Sequence, residues 1–321
     1  MLIIVILLLA GFYVGMNIGA NDAANCIGTS VGSGIISYKK AVMLMAIFVT
    51  IGAVLQGHQV MKTIGKGIIQ TNLSDLAIFV ALISAGFFVT LSTFFKLPVS
   101  TSQSIVGGVL GVGVSYLGIG SEFIKWPVLG KILLCWILCP VLTMALSFGL
   151  YALLLKFLRK MRKTTLVNRT LSTATILSAC YVSYSLGAND VGNAIGPLLN
   201  KFPDKGIWLA VMGGLALAAG ALMFGKGVTE TVGKNIAVLD IPGAFAAQVA
   251  AGFGVHLFSM LGIPVSTSQS IVGAVVGIGI VRGINAVSRA QVMRIVIGWV
   301  AAPTSAAIFS FLLFKLLRQI F

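Results

Sequence analysis

Long apolar runs, broken by glycine, proline and short polar clusters, set the pattern of this chain. They predict helices near 1–18, 41–60, 128–156, 170–186, 207–225 and 291–317. These lengths approach or exceed the ~20 residues with which a helix crosses about 30 Å of hydrocarbon. Val128–Leu155 is the plainest, with one charge in 28 residues. Two more apolar segments, 76–96 and 242–262, are each followed by a proline, Pro98 or Pro264, and then by Ser-Thr-Ser-Gln-Ser. Proline lacks the N–H of a helix ladder and restricts the residue before it, so helix–break–helix is expected there. Each such pair either spans the membrane or folds back as a re-entrant hairpin.

Composition places these helices in a bilayer. Hydrophobic residues make up 58% of the 321 residues, charged residues only 9%, and mean hydropathy is +1.06. A water-soluble domain carries roughly a quarter of its residues as charges, and this chain could not cover an aqueous exterior. The expected fold is an all-α polytopic membrane protein. The 38 glycines are spread through the apolar segments, where they let helix backbones approach closely.

Net charge is +15, but the basic residues punctuate apolar spans and accompany no nucleic-acid-binding module, so no nucleic-acid partner is expected. The positive-inside rule accounts for them better. Lys156, Arg159, Lys160, Arg162, Lys163 and Arg169 mark residues 156–169 as a short basic linker on the cytoplasmic side. The N-terminus opens on an apolar run without a basic n-region, as a retained first helix does. Cys26, Cys135, Cys139 and Cys180 lie among apolar or small residues and make a weak case for metal or redox chemistry. His58 and His256 read as hydrogen-bonded structural residues, and no Walker loop points to ATP.

The chain repeats itself. GANDAAN at 19–25 returns as GANDVGN at 187–193, and TIGKGI at 63–68 as TVGKNI at 231–236, both 168 residues on. LPVSTSQSIVGGVLGVGV at 97–114 returns as IPVSTSQSIVGAVVGIGI at 263–280, an offset of 166. Each half closes on a tryptophan-and-proline helix, Trp136 to Pro140 and Trp299 to Pro303. Residues 1–155 and 170–321 therefore form two homologous transmembrane repeats. In secondary transporters such repeats commonly have inverted topology, with the substrate at their interface. An inverted arrangement around a cytoplasmic linker puts both termini outside; Lys315 and Arg318 count against this.

Of only seven acidic residues, Asp22 and Asp190 occupy equivalent positions. A carboxylate within the membrane is costly unless paired, coordinated or wetted, which makes it a functional candidate. Asn21 and Asn25 flank one, Asn189 and Asn193 the other, and the i, i+3 spacing sets each Asp beside an Asn on one helix face. These clusters offer oxygen ligands to Na⁺ or a carboxylate to a proton; holding two helices together is the bland alternative. The second pair of clusters, Ser100–Ser104 and Ser266–Ser270, places hydroxyls and free backbone N–H groups at helix N-termini, where an oxyanion is favoured or ordinary capping occurs. No Lys or Arg lies within either motif, so bound cations would offset the charge of a desolvated anion. Lys62, Lys66, Lys226 and Lys234, with Glu230, read as solvated edge charges or as a means of steering an anion.

With GANDAAN, GANDVGN and both PVSTSQS runs in order, the chain resembles the inorganic phosphate transporter (PiT) family across both halves. That resemblance implies a multi-pass cell-membrane carrier, not an enzyme, homodimeric, with an inverted repeat, symporting inorganic phosphate with Na⁺ or H⁺; some relatives carry sulfate. It implies anion contacts at Asn25, Thr101, Ser102, Gln103, Asn193, Thr267, Ser268 and Gln269. Na⁺, the expected coupling ion, would lie at Asn21, Asp22, Asn189 and Asp190. The short central loop is compact, as in sulfate carriers, whereas the Asp retained in both GAND motifs favours phosphate. An anion channel is the rival reading, and a membrane scaffold that transports nothing a third.

Overall fold

The computed structural model describes residues 1–95, 99–159, 164–229, 239–283 and 289–320, with the backbone alone at 164–166, 289–292, 294 and 295. Pro98, Lys160, Arg162 and Lys163, and the repeat at 231–236 with Glu230 and Lys234, lie outside the described residues. The helices of the first half are α1 (Leu2–Gly32), α2 (Tyr38–Gln56), α3 (His58–Lys62), α4 (Asp75–Phe94), α5 (Thr101–Leu117) and α6 (Trp126–Leu158). Those of the second are α7 (Thr164–Ile195), α8 (Gly206–Phe224), α9 (Ile241–Met260), α10 (Thr267–Arg282) and α11 (Arg289–Leu317). A π-helical turn, Thr63–Gly67, follows α3, and a 3₁₀ turn, Gly196–Asn200, follows α7. Among the described residues, β-pairing is confined to one isolated bridge between Ile69 and Ile124.

The GAND segments, expected to lie between helices, are interior turns of α1 and α7. Neither contains a proline, and helical hydrogen bonds satisfy the backbone while the polar side chains project from one face. Their glycines serve close approach. A Cβ on Gly19 would lie 1.9 Å from the Leu217 carbonyl oxygen, and one on Gly187 would lie 2.0 Å from that of Val49.

These contacts belong to a reciprocal scheme. Gly19 of α1 meets α8, and Gly220 of α8 meets Met16 of α1; Gly187 of α7 meets α2, and Gly52 of α2 meets Tyr184 of α7. Further along, Gly107 and Gly111 of α5 abut the backbone of α11 at Pro303 and Ala307. Gly273 and Gly277 of α10 abut α6 at Pro140 and Met144 in the same way. At each of these contacts the partner helix comes from the other half. Large apolar side chains are then left for lipid: on α6, Leu133, Leu134, Ile137 and Leu138 are exposed while Cys139, Thr143 and Ser147 are buried.

The α4–α5 pair is a re-entrant hairpin. Its base is closed where Gln70 N donates to Phe123 O and Lys125 N to Ile68 O, both at 2.9 Å, so the chain leaves where it entered. The α9–α10 pair returns likewise: Asp240, the N-cap of α9, lies 3.9 Å from Arg282 at the end of α10. Each half thus adds three further helices, α1, α2 and α6 or α7, α8 and α11, to one hairpin. Three crossings are odd, which inverts the second half relative to the first. Among the described residues, seven helices meet the length and hydropathy of a membrane span, the hairpin arms α4 and α9 among them and the more polar α7 not.

Candidate functional site

Ser100 and Ser266, the last residues before α5 and α10, act as N-caps, accepting from Gln103 N at 3.3 Å and Gln269 N at 3.2 Å. Ser104 and Ser270 donate back to the carbonyls of those same caps. Capping therefore occupies the outer serines of each run. Thr101, Ser102 and Thr267 instead reach the GAND residues.

Asp22 accepts from Thr101 Oγ1 at 2.8 Å and from Asn25 Nδ2 at 2.9 Å. Asp190 Oδ1 accepts from Asn193 Nδ2 at 2.7 Å and Asn189 Nδ2 at 3.0 Å, and lies 3.3 Å from Ser102 Oγ. The halves interlock here as they do in the packing. Asn193 of the second half donates to Ser102 of the first at 2.7 Å, and Asn25 of the first donates to Thr267 of the second at 3.3 Å. Both hairpin tips and both GAND turns thus meet in one cluster, whose side chains are buried to 3% exposure or less. Ser268 faces its own cap, Ser266 Oγ, at 2.9 Å.

Asn21 and Asn189 hold the hairpin tips. Asn21 Oδ1 accepts from Val99 N at 3.1 Å, and its Nδ2 donates to Thr93 at 3.1 Å. Asn189 binds Val265 in both directions, donating to its carbonyl at 2.7 Å and accepting from its N–H at 3.2 Å. The second tip gains two more bonds, from Ser102 Oγ to Val265 O at 2.6 Å and from Trp136 Nε1 to Pro264 O at 3.0 Å.

Among the described residues, the cluster has no basic counter-charge. The ion pairs among the described residues, Lys201–Asp75 and Arg282–Asp240, lie elsewhere. Two buried carboxylates close enough to repel each other therefore stand among neutral donors. Three buried oxygens of the cluster, Asp190 Oδ2, Asn25 Oδ1 and Asn193 Oδ1, have no hydrogen-bond donor. All are acceptors, hard oxygens of the kind an alkali cation takes, and a buried acceptor left unmatched is costly.

Gln103 and Gln269 sit apart from this cluster. They line a separate cleft between α6 and α11, together with Trp136, Pro140, Trp299 and Pro303. Sequence reasoning missed a second layer of polar contacts on the second hairpin. Gln248 of α9, fully buried, accepts from Ser178 at 2.7 Å and donates to Ser30 at 2.6 Å and to the Cys26 carbonyl at 3.1 Å. His256, expected to be a hydrogen-bonded structural residue, bonds Tyr181 at 2.9 Å and Gln56 at 2.6 Å. A lone glutamine in the small-residue run AFAAQVAAG was the available signal for the first.

Two re-entrant hairpins meeting head to head on buried carboxylates, inside an inverted repeat, define a membrane carrier for a small ionic solute. The signature described as "Phosphate transporter family" (PHO4) matches residues 18–310, and the chain belongs to that family. Its relatives include "Inorganic phosphate transporter 2-1, chloroplastic" of Arabidopsis thaliana, 30% identical over 97% of this chain and 72% of the relative. A solved structure described as "The sodium-dependent phosphate transporter" superposes with a TM-score of 0.92, at 28% identity, over 100% of both chains.

Proposed function

We propose that this protein symports inorganic phosphate with Na⁺ by alternating access, the anion and the cations sharing the cluster at the hairpin tips. The observation that carries this reading is the set of unmatched acceptors, Asp190 Oδ2, Asn25 Oδ1 and Asn193 Oδ1, beside two buried carboxylates with no basic partner among the described residues. Cations satisfy such oxygens; a bare anion would add repulsion to them. Na⁺ enters as co-substrate, held by Asp22, Asp190 and the side-chain oxygens of Asn25 and Asn193. Asn21 and Asn189, whose side-chain oxygens each accept from a hairpin backbone N–H, position the tips beside the cations. Thr101, Ser102, Thr267 and Ser268, with the N–H groups that open α5 and α10, donate to the phosphate oxygens, and the helix dipoles assist. Neutral donors alone would leave a dianion poorly compensated for lost hydration, and bound Na⁺ supplies the missing charge. Anion and cation then enter together because each lowers the cost of burying the other, and this is the coupling.

The same reading puts the carrier in the cell membrane as a homodimer, with residues 156–169 cytoplasmic and both termini outside. A solved relative described as sodium-dependent, and relatives named for phosphate, support the choice of substrates. In proteoliposomes, labelled phosphate should accumulate under an inward Na⁺ gradient and exchange with unlabelled phosphate across the membrane. Downhill leak without exchange would make the protein a channel. Uptake competed by sulfate and not by phosphate would reassign the anion, and uptake following a pH gradient without Na⁺ would reassign the cation.

A further inference from the structure

The cleft between α6 and α11 has the make-up of a ligand site separate from the ion cluster. It encloses about 620 Å³ and straddles the pseudo-twofold relation of the halves: Trp136 and Pro140 on one wall, their equivalents Trp299 and Pro303 on the other, Gln103 and Gln269 between. Its mouth faces hydrocarbon, since Leu133, Ile137, Val141 and Val300 are each more than a third exposed. The inside is apolar except for a few polar groups without partners. Gln103 and Gln269 are each 2% exposed, and their Oε1 atoms accept no hydrogen bond; Trp299 Nε1 donates none. Pro140 and Pro303 also lack the N–H that would meet the carbonyls of Trp136 and Trp299 within each helix.

We propose that this cleft binds a membrane-dissolved apolar alcohol, a molecule with a hydrocarbon body and a hydroxyl placed between the two glutamines. Volume and lining match those of small-molecule sites, largely apolar with a few converging polar groups. A lipid tail fills the walls but leaves both glutamine Oε1 atoms and the indole N–H unpartnered in a low dielectric. An anion has no cation there to meet it. A hydroxyl donates to a glutamine Oε1 and accepts from the indole or from an amide N–H, so one group answers both kinds of orphan. The claim is independent of the transport reading. Given that reading, its consequence is control: Gln103 adjoins Ser102 and Gln269 adjoins Ser268, so a ligand bonded to both glutamines ties the two inner hairpin arms together.

The test is photolabelling of the full-length protein in phosphatidylcholine nanodiscs. One probe is a long-chain primary alcohol carrying a diazirine, and the other its hydrocarbon counterpart without the hydroxyl. The alcohol should label peptides around Trp136 and Trp299 saturably and about tenfold more than the hydrocarbon, the margin of a hydrogen bond to buried groups otherwise unmatched. Gln103→Leu with Gln269→Leu should bring the alcohol down to the hydrocarbon's level. Val141→Trp, at the lipid-facing mouth, should block labelling with both glutamines intact, and serves if the double variant does not fold. Equal labelling by both probes would make the cleft a lipid crevice and overturn the proposal. Absence of labelling by either, as when a second copy of the chain covers this face, would overturn it too.

Discussion

The two hairpins descend from one design and are held in different ways. At the first tip, among the described residues, the Val99 N–H donates to Asn21, whose amide donates to Thr93. At the second, Val265 exchanges two with Asn189 and accepts a third from Ser102 of the opposite half, while Trp136 holds Pro264. The outer arms differ likewise. Thr90 of α4 bonds Tyr13 and Asn17 within its own half, whereas His256, its equivalent on α9, bonds Tyr181 and crosses to Gln56 of the first half. Gln248 adds a buried anchor to α1 and α7. A symmetric sequence design has settled into an asymmetric set of contacts. Alternating access requires such inequality: if the halves exchange roles, the tip that is tightly held becomes the loose one.

The largest effect should come from the carboxylates, where the asymmetry is sharpest. Both oxygens of Asp22 already accept hydrogen bonds, but Asp190 keeps Oδ2 unmatched. Asp190→Asn should reduce Na⁺-driven phosphate uptake about a hundredfold and weaken its Na⁺ dependence more than Asp22→Asn does. Equal Na⁺ titrations for the two variants, read from initial rates, would erase this distinction between the halves. An intermediate effect is expected at the clamps. Asn189→Ala leaves the N–H of Val265 unmatched, at about 1–3 kcal/mol, while its carbonyl keeps Ser102. It should slow uptake roughly tenfold, and Asn21→Ala should slow it less. The reverse order would mean that this state is not the one limiting turnover. The smallest effect is expected from His256→Thr, which gives the second arm the chemistry of the first and removes its link to Gln56. Uptake should change by about twofold or less, as for a partly exposed contact. A large loss would mark the bond to Gln56 as a strut needed by the cycle.

Much of this was legible in the residues before any coordinates. Repetition exposed the halves, and a paired aspartate in so apolar a chain marked the site, because both signals are local in sequence. What stayed hidden depended on direction and distance. Asn21 and Asn25 look alike within GANDAAN, yet one turns to the hairpin backbone and the other to Asp22. Gln103 sits among four hydroxyl residues but points to a different space, since a helix turns about 100° per residue and adjacent residues face apart. The run of GAND inside α1 and α7 was obscured because polar residues resemble a break until their partners on other helices are known.

The exchange of glycine contacts between halves bears on how the chain is made. Gly19 of α1 closes against α8, and Gly107 of α5 against α11, neither of which exists when the first half leaves the ribosome. Until then Asp22 and Asn25 have no Thr267 to meet, and the grooves cut by these glycines face lipid. Biogenesis of this protein is therefore a matter of waiting. The first repeat enters the bilayer as an open template, and only the arrival of the second, inserted upside down, converts it from a set of helices into a machine.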